Sequence, residues 1–262
     1  MHDSNQCAEC GRAIDAPEQH FCPACGQPTP AHRIDWHFLG HELEHSVLHM
    51  DRGLLYTLKN LLLRPGPFIR NYIEGRRAGY VRPMMLITLM AAVVTLVSKY
   101  MVHGEIVKHP DTLAGTHGDK ADAAALAHLM NVVTDWTNQH YAAATLLLLP
   151  LEAAAFRLAF RRFRALNYPE WLTITAFLTG QSFLIQTVSI VCDRWIPGRS
   201  TWAGLLVIAF ASFSLVQFFD DYPKWKSALR ALWAYALFQG AMLLLGIVLA
   251  VVLLLVGRFH AG

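Results

Sequence analysis

The sequence predicts a mainly α-helical, polytopic membrane bundle of about five spans, with a small cysteine-bearing head at its N-terminal end. Three observations predict it. Charged residues make up 16% of the 262 positions and hydrophobic residues 54%, whereas a soluble domain carries about 25% charge. The apolar residues are concentrated in long runs after position 83, each near the roughly 20 helical residues that cross a hydrocarbon core. Four of the five cysteines lie instead in a polar, histidine-rich stretch before it. This composition excludes a disordered chain, an ordinary cytosolic enzyme and, at a net charge of +3, a nucleic-acid binder working by bulk charge. The division expected is a head over residues 1–32, juxtamembrane helices over 33–83 and a transmembrane domain over 84–262.

In the head, Cys7-x2-Cys10 and Cys22-x2-Cys25 form two knuckles, with Gly11 and Gly26 directly after the second cysteine of each. Glycine there permits the tight turn that aims backbone N–H groups at thiolates, and two such hairpins bring four sulfurs around one Zn²⁺. A redox dithiol or a disulfide pair is the alternative. Both weaken in a reducing cytosol without a thioredoxin-like context. Four cysteine ligands leave no open position for water, so the zinc expected is structural.

The segment 33–50 reads as a helix. At 100° per residue, Trp36, Leu39, Leu43, Val47 and Met50 form one stripe, and His37, His41, His45 and His49 form another on the opposite side. His41-Glu42-Leu43-Glu44-His45 matches HExxH, which places two imidazoles on a metal and a glutamate beside its bound water. That would make a membrane-bound zinc metallopeptidase with His41, Glu42 and His45 as its catalytic residues. Against it, Leu48 and Asp51 stand where the longer metzincin pattern needs glycine and histidine, and no Asp-Gly dipeptide occurs to complete an intramembrane peptidase. A solvated polar face is the leading reading, followed by a non-catalytic metal or pH-sensing site.

Residues 53–63 are apolar around a narrow strip of Thr57, Lys59 and Asn60. Arg64-Pro65-Gly66-Pro67 then interrupts the chain, because proline lacks an N–H and disfavours helix in the residue before it. A short helix over 68–77 follows. Arg64, Arg70, Arg76 and Arg77, interleaved with aromatic residues, are candidates for lipid headgroup contact at about 1 kcal/mol per basic residue near an anionic leaflet. Fixing the topology explains them equally well.

Spans are expected at 84–102, 141–160, 171–192, 202–219 and 232–256, of which the fourth is the shortest. Trp171, Trp195, Trp202, Trp225 and Trp233 fall at or near their ends, as interfacial belts require. Nothing at the N-terminus reads as a signal peptide. Basic residues cluster before position 83, at Arg157, Arg161, Arg162 and Arg164, and at Lys224, Lys226 and Arg230, while the loop 102–140 is acidic on balance. The positive-inside rule therefore puts the N-terminus in the cytoplasm and the C-terminus outside. Within the spans Glu152 is a functional candidate by default, although a local pair with Arg157 is the simpler reading. The third span carries Thr173, Thr175, Thr179, Gln181, Ser182, Gln186, Thr187 and Ser189, which hydrogen bonds between helices explain as well as a substrate path does.

The paired CxxCG knuckles, then Thr57-Leu58, Leu62, Arg64-Pro65-Gly66, Arg70, Tyr72-Ile73-x-Gly75-Arg76-Arg77, Tyr80 and Pro83, followed by several spans, resemble the bacterial membrane family called domain of unknown function 3667. Asn167-Tyr168-x-Glu170 resembles a further element of it. The resemblance implies a bacterial inner-membrane protein with a cytosolic zinc ribbon and no established activity. There is no phosphate-binding GxxxxGK[ST] loop and no Gly-x-Ser-x-Gly elbow. The functions left open are a transport or accessory component that binds a small or lipidic molecule, the metallopeptidase, and a scaffold whose ribbon recruits a cytosolic partner. Membrane lipids are partners in all three.

Overall fold

The computed structural model describes residues 6–14, 20–29, 33–45, 53–104, 106–107, 120–163, 165–192 and 199–260. Nine helices occur among them: α1 (Trp36–His45), α2 (Gly53–Leu63), α3 (Pro65–Ile73), α4 (Pro83–Met101), α5 (Lys120–Gln139), α6 (Tyr141–Ala159), α7 (Tyr168–Cys192), α8 (Arg199–Phe218) and α9 (Lys224–His260). Extended pairing among the described residues is limited to two isolated bridges, Gln6 with Ala13 and Phe21 with Pro28, one in each knuckle.

Local chemistry sets the helix starts. Asp35 Oδ1 accepts the Phe38 N–H at 2.8 Å, an N-terminal cap for α1. Pro65 and Pro83 occupy the first positions of α3 and α4, where a missing N–H costs nothing. The expected helix at 33–50 is described as far as His45, and 46–50 lie outside the described residues.

Among the described residues, four helices are long and apolar enough to cross a membrane: Pro83–Met101, Tyr141–Ala159, Tyr168–Cys192 and Lys224–Val248. The expected fourth span is helical, as α8, but its apolar stretch Trp202–Phe218 is shorter than the other four. It runs antiparallel to α7. Ser214 bonds Gln181, and the ring of Phe219, just beyond α8, lies 6.1 Å from that of Trp171 at the start of α7.

The central helix is α7. Every side chain from Pro169 to Gln181 is buried beneath α4, α6, α8 and the α2–α3 pair, and such all-round burial explains why its apolar residues form no stripe. Most of its threonines bond their own helix, Thr175 to the Trp171 carbonyl and Thr179 to the Thr175 carbonyl. Fewer of its polar residues cross between helices than the composition suggests. Among the described residues the crossings are Gln181 to the Leu61 carbonyl (2.8 Å), Ser214 to Gln181 (3.1 Å), Tyr141 to Gln186 (2.6 Å), Thr179 to Glu152 (3.3 Å) and Tyr168 to the Pro150 carbonyl (2.7 Å).

The segment 102–140, expected as a loop, contains α5. The Ala-rich run from Lys120 to Met130 has high intrinsic helix propensity, which a reading by charge alone overlooks. Asn138 near its end pairs with both backbone groups of Val107, at 2.9 and 3.0 Å.

Candidate functional site

The two knuckles are built alike. In each, the first cysteine donates to the residue five positions on (Cys7 to the Arg12 carbonyl, Cys22 to the Gln27 carbonyl) and accepts from the glycine four positions on. Gly11 and Gly26 sit at φ of 72° and 73°, the left-handed region that glycine occupies without a Cβ clash. The sulfurs of Cys7, Cys10, Cys22 and Cys25 lie within 4.8 Å of one another, with Cys7–Cys25 at 3.5 Å and Cys10–Cys22 at 3.6 Å. A disulfide needs about 2.05 Å, whereas a tetrahedron with metal–sulfur bonds of about 2.3 Å has edges of about 3.8 Å. Backbone N–H groups of Ala24 and Cys25 aimed at the Cys22 sulfur lower its pKa, while burial raises that of Cys25. Four sulfurs this close hold their charge together around a cation, so the donor set fits a metal ion.

The ribbon is fastened to the turn after α3. Gln27, buried, uses both ends of its amide: Nε2 donates to the Gly75 carbonyl at 2.9 Å, and Oε1 accepts the Arg77 N–H at 3.1 Å. From the other knuckle Glu9 reaches the same turn, where burial raises its pKa against the lowering effect of Arg76 and the Ala78 backbone. Gly75 and Gly79 take φ of 97° and 75°, so Gly75-Arg76-Arg77-Ala78-Gly79 is a shaped receptor for the ribbon. The Arg77 guanidinium lies 4.3 Å over Phe38 and 5.4 Å over Tyr72, and its Nε donates to the Tyr72 carbonyl at 3.1 Å.

A second fastening joins the chain just before α1 to the start of α7. Arg33 grips Glu170 with both arms of its fork, at 2.7 and 2.9 Å, and also donates to the Ala165 carbonyl. Glu170 accepts the Asn167 N–H at 2.7 Å while Asn167 Oδ1 accepts the Glu170 N–H at 2.8 Å, a reciprocal capping box. Asn167 Nδ2 then donates to the Ile34 carbonyl at 2.8 Å. The Asn167-Tyr168-x-Glu170 element is thus a helix cap doubling as a docking site for Arg33.

A third joins α3 to the end of α8. Gly66 donates to Gln217 Oε1 at 3.2 Å. Arg70 donates to the Gln217 and Phe218 carbonyls and to Asp220, so a cation neutralises the negative end of α8. Arg70 holds the Asp220 carboxyl below its usual range, chiefly through their hydrogen bond. For a carboxylate with a lowered folded pKa, the stabilisation is complete above the unfolded value of 3.8 and disappears as pH falls through the lower folded value. Thermal unfolding scanned from pH 5 to pH 2 is expected to show this acid-side loss in the wild type and a smaller one in Arg70→Ala. Equal slopes would contradict it.

Of the four arginines considered for headgroup contact, Arg70 and Arg77 are engaged with protein, and Arg76 lies near Glu9 with a buried Nε that has no hydrogen-bond partner among the described residues. Arg64 is exposed. Glu152, expected as a partner of Arg157, makes no ion pair among the described residues: Arg157 sits over the Tyr168 ring at 5.8 Å. The carboxylate meets the Thr179 hydroxyl and lies close enough to Tyr235 of α9 to interact with it electrostatically. The side chains of His41, Glu42 and His45 lie outside the described residues. Sequence reasoning missed Glu9, Gln27 and Arg33, because each meets a partner with no local spacing to announce it.

No curated protein and no solved structure matches this chain. Residues 51–95, which hold α2, α3, the receptor turn and the first part of α4, match the family described as protein of unknown function DUF3667, the family that the sequence resembles.

Proposed function

We propose that the chain is a bacterial inner-membrane component that binds a small or lipidic molecule through Glu152, with a structural zinc ribbon bracing its cytoplasmic end. The observation that carries the reading is the setting of Glu152. A carboxylate among apolar helices is stable only when protonated or when it meets a cation, and its described partners supply a hydroxyl and a phenol but no cation. The group is poised for a positively charged ligand or for a proton.

The orientation rests on where the ends of the helices gather. The starts of α4, α7 and α9 and the ends of α6 and α8 share the ribbon's end of the bundle, as the contacts of Arg33, Arg70 and Arg230 indicate. The basic clusters identified in the sequence lie at these helix ends, which supports a cytoplasmic ribbon. Glu9 and Gln27 are used within the chain itself, which favours bracing over recruitment of a partner.

Purified wild type and Glu152→Gln, each solubilised from bacterial membranes, are to be compared by native mass spectrometry and lipid extraction. A molecule retained by the wild type is expected to be lost from Glu152→Gln at unchanged zinc content. Identical retention in both overturns the reading.

A further inference from the structure

The break between α2 and α3 satisfies its own N–H groups without water. A helix start normally leaves several N–H groups unpaired. Here Pro65 and Pro67 have none, Gly66 donates to Gln217 Oε1, Phe68 donates to the Arg64 carbonyl, and Arg64 itself donates to the Asn60 carbonyl. On the α2 side the Leu61 carbonyl accepts from Gln181. Both glutamines come from the bundle, and Gln181 is buried. Interrupted backbone at membrane depth is tolerated where protein satisfies it in this way.

Position and surface agree with that chemistry. Leu61 docks at Gln181, next to Gly180, and Gly180 packs against Leu86, three residues into α4. The tip of the α2–α3 pair therefore lies deeper than the point where the first span begins, by about 4.5 Å at 1.5 Å per residue. Thr57 and Leu61 face the bundle, while Leu62 and Leu63 are turned away from it, at 43% and 64% exposure. Arg64, also exposed, stands beside them with a stem long enough to carry its charge back to phosphate level.

We propose that α2 and α3 form a re-entrant hairpin whose tip, Leu62 and Leu63, lies among the acyl chains of the cytoplasmic leaflet, with Arg64 at the level of the lipid phosphates. The occupant of this apolar surface is lipid, because α8, the helix on which α3 is held at Gln217, also turns apolar side chains outward, at Leu205, Leu206 and Phe213. The hairpin anchors the ribbon's receptor turn relative to the membrane. The inference is independent of any ligand at Glu152.

The test uses the full, zinc-loaded chain with Cys192→Ser, reconstituted in vesicles of phosphatidylethanolamine and phosphatidylglycerol. A nitroxide is attached at Leu62→Cys, at Leu63→Cys or, as a water-exposed control, at Glu74→Cys. The chain without an added cysteine supplies the background. Relaxation enhancement by oxygen is expected to exceed that by a water-soluble nickel chelate at positions 62 and 63, and to fall below it at 74. Nickel exceeding oxygen at 62 and 63 would mean an aqueous surface, and low accessibility to both would mean contact with a second copy of the chain. Either result overturns the proposal.

Discussion

If the four sulfurs hold zinc as proposed, Cys22→Ser is expected to abolish binding of one zinc ion per chain and to release the two knuckles from the body of the protein. The described part of the ribbon buries Cys7, Ala8, Cys22, Gln27 and Thr29, a set too small and too polar to fold by hydrophobic burial. On the zinc reading, metal binding supplies the folding free energy in its place. Once the second knuckle opens, Gln27 can no longer bridge Gly75 and Arg77. The spans, held by contacts that do not involve the ribbon, should persist. Metal analysis, combined with limited proteolysis of the solubilised chain, checks both halves. A full complement of zinc in Cys22→Ser, or a protease-resistant ribbon in metal-free wild type, would refute the account.

Gly66→Val is expected to be the most damaging substitution in the helical part, at about 3 kcal/mol or more. A Cβ at position 66 would overlap the backbone and Cβ of Gln217 and lie 2.5 Å from the Phe218 nitrogen. Backbone cannot step aside as a side chain can, so α3 would have to leave α8. Overpacking alone costs roughly 1–3 kcal/mol, and the separation also removes the Gly66 bond to Gln217 and the Arg70 cap. Gly204→Ala on α8 is the matched control. Nothing lies within 4 Å of a Cβ there, and replacing a helical glycine with alanine is neutral or favourable by up to about 1 kcal/mol. Thermal unfolding in detergent should separate the two, and a Gly66→Val protein as stable as the control would sink the argument.

What the sequence makes legible follows the range of each interaction. The boundaries of α2, α4 and α6 can be read to within a residue or two, because apolar length and proline breaks are local. The four cysteines are legible for the same reason: their spacing alone encodes a pair of matching turns. The fastenings are not. Arg33 meets Glu170 across 137 positions and Gly66 meets Gln217 across 151, so no window of the sequence contains both partners. Arg70 illustrates the cost. Beside a membrane face it reads as a lipid ligand, and only the packing of α3 on α8 shows that its charge is spent on a helix end.

The burial of α7 bears on how the chain is made. Of the four helices long and apolar enough to span a membrane, it is the least apolar and the most enclosed, so on its own in lipid it would be a poor resident. The order of synthesis relieves this. The α2–α3 pair, α4 and α6 all precede α7 and can line two of its sides as it leaves the ribosome, leaving α8 and α9 to close the remainder. If helices associate laterally after insertion, the early segments act as a mould for the third apolar span. Chains that lack α2 to α4 should then release α7 from the insertion machinery late or incompletely.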